Sequence, residues 1–209
     1  MGDNMKKLLN KIKYDKKVMT ILNVITIIGI ITGSIFITIL NKTDKKLISD
    51  AVNNYLSHIK SINNLELIYL KNILINNTIS LFLIWIIGIS VIGVFFVLIF
   101  IFYKSFILGF SISALIYTYS YKGIFISLIY IFPHIIINLL IFMFVASYSL
   151  KLSSILIRSI LKKENMNFKS FINNYIKIFI FSLIFIIMTS IYESIILPII
   201  FKFVLGIIL

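Results

Sequence analysis

The chain has 209 residues, 60% of them hydrophobic and 13% charged, with a formal net charge of +13 and a mean hydropathy of +1.09. Soluble domains hold about 45–50% apolar residues even when glycine is counted, so a water-soluble fold is excluded and lipid is the solvent. Cysteine is absent, which excludes disulfides, thiolate metal sites and cysteine nucleophiles.

The apolar runs pass the ~18 residues that mark a membrane-spanning helix. They lack the short-period alternation of barrel strands. The expected fold class is therefore all-α, a polytopic membrane bundle forming a single membrane domain over 1–209. Most Lys and Arg lie between apolar runs, where they set topology. The positive charge is thus read as orientation within a membrane and not as a nucleic-acid surface.

Residues 1–17 are polar and basic and are expected in the cytoplasm. No cleavable signal is read, because the first apolar run, 18–40, is longer than the ~7–15-residue core of a signal peptide. Lys6 stands where a myristoylation pattern needs Ser or Thr. Gly29 and Gly33 share one face of this first span. Packing within the chain is the preferred reading of that face, and self-association through Gly29 and Gly33 is the second.

Residues 41–75 form an outer amphipathic segment. Leu47, Ile48, Ala51, Val52, Tyr55, Leu56 and Ile59 recur at helical spacing, and both ends are tied to the membrane. No second His or carboxylate stands one turn from His58, which is read as a solvated or capping histidine and not a metal ligand. The segment is expected to be a docking surface through its apolar face at Val52 and Leu56. The second span is read over 78–102, opened by Asn76 and Asn77 and punctuated by Gly88 and Gly93. Tyr103 and Lys104 read as interfacial anchors at its exit.

A third segment, 106–119, covers only ~21 Å of a ~30 Å hydrocarbon core, so it either crosses or re-enters. The fourth span is expected over 123–148, a basic cytoplasmic segment over 149–175 and the fifth span over 176–200. Lys151, Arg158, Lys162, Lys163 and Lys169 stand against Glu164 alone in 149–175. The positive-inside rule then favours five crossings, with the N-terminus inside and the C-terminus outside.

Glu193 is the only carboxylate within a span. An ionisable group there is either a proton or ligand site or a near-interface carboxylate bonded to a neighbouring helix. The second reading is preferred, with Asn76 and Asn77 at similar depth as partners. Pro133, His134 and Asn138 sit together in the fourth span. Pro133 frees a backbone carbonyl that polar neighbours can reach. His134 with Glu193 is the sole acid–base pair in the spans, too little for a catalytic set. No catalytic residue, metal site or cofactor is expected, and the chain is not read as an enzyme. There is no P-loop for an ATP-driven pump and no repeat of the kind secondary transporters show.

The blocks INNTISLFLIWIIGISVIG, YKSFILGFSISALIY, YKGIFISLIYIFPHIIINLLIF and IYESIILPIIFK, in that order and spacing, resemble the stage II sporulation protein M family of endospore-forming clostridia and bacilli. The specific pieces are Asn76, Asn77, Gly88, Gly93, Gly109, Pro133, Asn138, Glu193 and Pro198, read as structural or interaction residues. His134 departs from the sporulation branch and receives no role from the resemblance. The resemblance implies a non-enzymatic scaffold in the mother-cell membrane at the sporulation septum. That scaffold would position the peptidoglycan hydrolases known as sporulation stage II proteins D and P during engulfment. The alternative is a maturation, export or immunity factor for a membrane-active peptide, or a small transporter component.

Overall fold

The computed structural model describes residues 16–61, 67–162 and 168–200. Most of the basic N-terminal segment, and Lys163 and Glu164 of the expected cytoplasmic segment, lie outside the described residues. The elements are α1 (Lys16–Ile39), α2 (Lys42–Ser61), α3 (Leu67–Gly88), α4 (Gly93–Tyr119), α5 (Tyr121–Ile126), α6 (Phe132–Lys162) and α7 (Phe168–Ile191). A π-helical turn, Ser127–Ile131, joins α5 to α6, and a second, Tyr192–Ile196, continues α7. Five helical stretches are long and apolar enough to cross a membrane: Lys16–Ile39, Ile68–Gly88, Gly93–Tyr119, Pro133–Ile160 and Phe171–Ile200. No sheet occurs among the described residues.

The number of crossings matches the sequence reading, but the helix breaks fall elsewhere. The expected span 78–102 is cut by a turn at 89–92, and the expected exit at Tyr103–Lys104 lies inside the 27-residue α4. The segment 106–119 is therefore the second half of a full-length helix and needs neither a thinned bilayer nor re-entry. The turn is hidden in the sequence because Ile89, Val91 and Ile92 are apolar. Gly93 makes it possible: a Cβ there would strike the Ile87 carbonyl, and the Gly93 amide bonds back to Ser90 O at 3.0 Å. The fourth crossing begins at Pro133, ten residues after the expected start at Gly123, because α5 and the π turn come first. The expected segment 149–175 is largely helical, with α6 running to Lys162 and α7 starting at Phe168.

Contacts fix the relative directions of the helices. Gly29 meets Ser105 and Phe102, and Gly33 meets Phe106 and Phe110, so α1 and α4 run parallel. Gly109 closes the same seam, where a Cβ would run into the Ile30 backbone. This is the most intimate helix pair in the bundle, and Ser34 adds a hydroxyl bond to Gly109 O at 3.3 Å. The small-residue face is thus used inside the chain. Self-association through Gly29 and Gly33 is corrected accordingly: α4 already covers that face. Helix α3 runs antiparallel to α7, with Asn77 beside Ser190 and Trp85 beside Tyr175. Helix α6 also opposes α7, with Asn138 beside Thr189.

The core joins Leu22 of α1, Leu81 and Ile84 of α3, Val97, Ile101 and Leu108 of α4, Val145 and Ala146 of α6, and Ile186 of α7. Outward-facing residues such as Ile27, Ile31, Phe95 and Phe181 are half exposed, as befits helices whose outer surface meets lipid. Helix α2 does not present its apolar face for docking. Leu56 and Ile59 are buried and Val52 packs against the same core.

Candidate functional site at one end of the bundle

Each proline of the chain follows a π-helical turn. Pro133 comes two residues after Ser127–Ile131, and Pro198 comes two residues after Tyr192–Ile196. A proline ring lacks an amide hydrogen and crowds the carbonyl four residues back, and widening the preceding turn relieves that crowding. The two widened turns lie side by side. His134 follows one and Glu193 belongs to the other, with Nε2 and Oε1 3.6 Å apart and side chains only 5% and 15% exposed.

Asn77 of α3 donates through Nδ2 to Ser190 Oγ at 3.1 Å and to Glu193 Oε2 at 3.4 Å. One turn deeper, the Thr189 hydroxyl donates to Asn138 Oδ1 at 2.5 Å. Three helices are therefore tied by polar bonds that lipid cannot supply. On the other side of His134, the Tyr130 ring lies edge-on at 5.7 Å. The Tyr130 hydroxyl is 2.9 Å from that of Tyr55 on α2 and 3.4 Å from that of Tyr69 on α3. Tyr119 OH donates to Asn53 Oδ1 of α2 at 2.7 Å. Helix α2 is thus fastened across this end by two tyrosine contacts and by its apolar face.

Of the sequence candidates, the structure brings together Asn77, Asn138 and Glu193, with Pro133 and Pro198 shaping the turns beside them. Asn76 is exposed and lies outside the cluster. Gly88 and Gly93 belong to the opposite end. There a Cβ on Gly88 would meet the Tyr175 hydroxyl and Ser149. Tyr175 OH donates to Trp85 O at 2.8 Å, Ser149 OH to Ile84 O at 3.2 Å and Ser153 OH to Ser90 O at 2.6 Å. Gly109 belongs to the α1–α4 seam.

The sequence reading missed Lys104. It lies in the middle of α4, with Nζ donating to Ser80 Oγ at 2.9 Å and lying 5.5 Å and 5.3 Å from the Phe100 and Phe142 ring centres. Its signal was ambiguous: a Tyr–Lys pair between two apolar runs reads as an interfacial anchor. Tyr55, Tyr69 and Tyr130 were missed as a group because nothing in their spacing links three separate segments.

Among the described residues, no group of His, Cys, Asp or Glu is placed to hold a metal ion, and the polar cluster is a packed network. These features define a polytopic helical membrane protein whose polar groups are spent on joining its helices. The chain matches the family model described as Stage II sporulation protein M over residues 22–198 and belongs to that family. Membership ties it to sporulation, and the five spans tie it to the membrane. No curated protein matches the chain, and no solved structure does.

Proposed function

We propose that the protein is a non-enzymatic scaffold of the engulfment machinery. It recruits peptidoglycan hydrolases, the sporulation stage II proteins D and P, and positions them at the septum from the mother-cell membrane. The observation that carries this reading is the mounting of α2. Val52, Leu56 and Ile59 pack into the bundle and the tyrosine contacts hold α2 in register, while Leu47 and Tyr55 stay exposed beside an outward polar stripe. Lys46, Asp50 and Asn54 repeat every fourth residue along that stripe, and all three are exposed. A polar stripe on a fixed helix suits a soluble domain working at the membrane surface. The family membership supports the setting.

The test separates mounting from docking. Asp50→Lys combined with Asn54→Lys changes the stripe and leaves the buried face intact. The double variant should accumulate normally and reduce septal recruitment of fluorescently tagged hydrolase severalfold in sporulating cells. Leu56→Asp instead unseats the helix and should lower the protein level itself. Normal hydrolase recruitment by the double variant would remove α2 as the docking element.

A further inference from the structure

Lys104, Glu193, His134, Tyr130 and Tyr55 follow one another from the middle of the bundle to α2. Lys104 Nζ bonds to Ser80 Oγ at 2.9 Å, and Ser80 sits three residues, about one turn, after Asn77 on the same face of α3. Asn77 reaches Glu193, Glu193 faces His134, His134 meets the Tyr130 ring, and Tyr130 touches Tyr55 of α2. The path runs from the middle of α4 to α2, a helix outside the five spans that carries the exposed stripe. It passes through both π turns, a backbone form that is rare in helices and concentrated at functional sites.

We propose that His134 and Glu193 form a proton-binding site that fastens α2 to the bundle while the Glu193 carboxyl is ionised. The carboxylate accepts from Asn77 Nδ2 and faces His134 Nε2 at 3.6 Å, so it attracts an imidazole that presents an N–H there, neutral or charged. A protonated carboxyl carries no charge to hold that N–H or to balance Lys104.

The groups facing the pair are Tyr55 from α2, Tyr69 from α3, Tyr130 from the first π turn, Tyr192 beside Glu193 and, through Ser80 and Asn77, Lys104 from α4. None of them is a carboxylate. Glu193 therefore supplies the only negative charge for both His134 and Lys104. Protonating it leaves buried positive charge unbalanced, and the polar path to Tyr130 and Tyr55 loosens. Acidification releases α2.

The experiment uses the full chain in lipid nanodiscs, where both faces are open to solvent. The natural absence of cysteine allows single reporters. Leu56→Cys and Ile59→Cys report from beneath α2, and Lys46→Cys reports from its exposed side. The labelling rate of each buried reporter with a charged maleimide, divided by that of Lys46→Cys, cancels the thiol's own pH dependence. The ratio should rise at least about fivefold between roughly pH 7.5 and pH 5.5. Glu193→Gln, which fixes the neutral form, should hold the ratio high at both pH values. Tyr130→Phe keeps the ring against His134 and removes the hydroxyl link, so it too should be high and pH-insensitive. A ratio that stays flat in the parent chain overturns the proposal. So does an unchanged pH response in Glu193→Gln or, should that variant not accumulate, in Tyr130→Phe. No hydrolase is needed, so the outcome is independent of the scaffold reading.

Discussion

A lysine halfway along a membrane helix has to be explained by its immediate neighbours. Placing lysine at the centre of a span costs about 2.5–3.5 kcal/mol on insertion scales. Against that, Lys104 has one hydroxyl acceptor, Ser80, and two aromatic rings. A hydrogen bond between membrane helices is worth about 0.6 kcal/mol on average, and each cation–π contact about 0.5–2 kcal/mol. The balance is near zero or slightly unfavourable. Lys104→Met, which keeps length and ring packing, should leave the unfolding free energy in detergent unchanged or raise it by up to about 2 kcal/mol. A clear drop would mean that the ammonium holds the fold. The same reasoning ranks Asn77 and Asn138. Thr189 bonds to Ile186 O at 3.0 Å as well as to Asn138, so Asn138→Leu leaves its hydroxyl partnered. Asn77→Leu removes a donor from both Ser190 and Glu193. The Asn77 variant should lose about 1–2 kcal/mol more than the Asn138 variant in a thermal-shift series, because a buried carboxylate loses an amide. Equal losses would show that the Asn77–Glu193 contact contributes little.

At the scale of elements, the bundle is built around two kinds of close approach, and the sequence displayed them unequally. The G-x-x-x-G spacing of Gly29 and Gly33 showed a packing face, and intrachain use was its preferred reading. Nothing in the sequence said that Gly109 completes the seam, since only the register of α1 against α4 brings it to Ile30. Valine at Gly109 should force these helices apart and cut the steady-state level severalfold, measured in membrane fractions. Valine at Gly93 should do the same by blocking the turn at 89–92. That turn was illegible because its residues are as apolar as the helices it joins. By contrast, Pro133 and Pro198 were visible as disturbances, and the existence of the polar cluster followed from Asn77, His134, Asn138 and Glu193 lying near helix ends. Its extension to α2 did not follow. A tyrosine in an amphipathic segment and a tyrosine in a span carry no sequence mark of contact. Helix α2 itself was legible as amphipathic, but an apolar face looks the same whether it awaits a partner or is already covered by its own chain.

Over the whole molecule, the helix directions inferred from contacts leave only one binary choice. Lys46 lies on α2 at the end that holds His134 and Glu193, whereas Arg158 lies at the end that holds Gly88 and Gly93. The contacts of α1, α3, α4, α6 and α7 all place these ends on opposite sides of the bundle. Which end faces the cytoplasm is decided by charge. Residues 149–175 carry Lys151, Arg158, Lys162, Lys163, Lys169 and Glu164, and the N-terminal residues 1–17 add Lys6, Lys7, Lys11, Lys13, Lys16 and Lys17. Lys16 and Lys17 at the start of α1 and Lys151 and Arg158 of α6 belong to the same end, and basic segments flanking spans stay in the cytoplasm. The positive-inside rule then predicts that the α2 end faces the wall, where the proposed hydrolase scaffold needs it. Single cysteines at Lys46 and Arg158 are both in exposed positions, so access and not burial governs their labelling. In intact cells an impermeant maleimide should label Lys46→Cys and spare Arg158→Cys, and permeabilisation should make both reactive. The reverse pattern would invert the protein. It would place the polar stripe of α2 in the cytoplasm, away from peptidoglycan, and the hydrolase-positioning role would fall with it, while the buried His134–Glu193 site would stand on its own test.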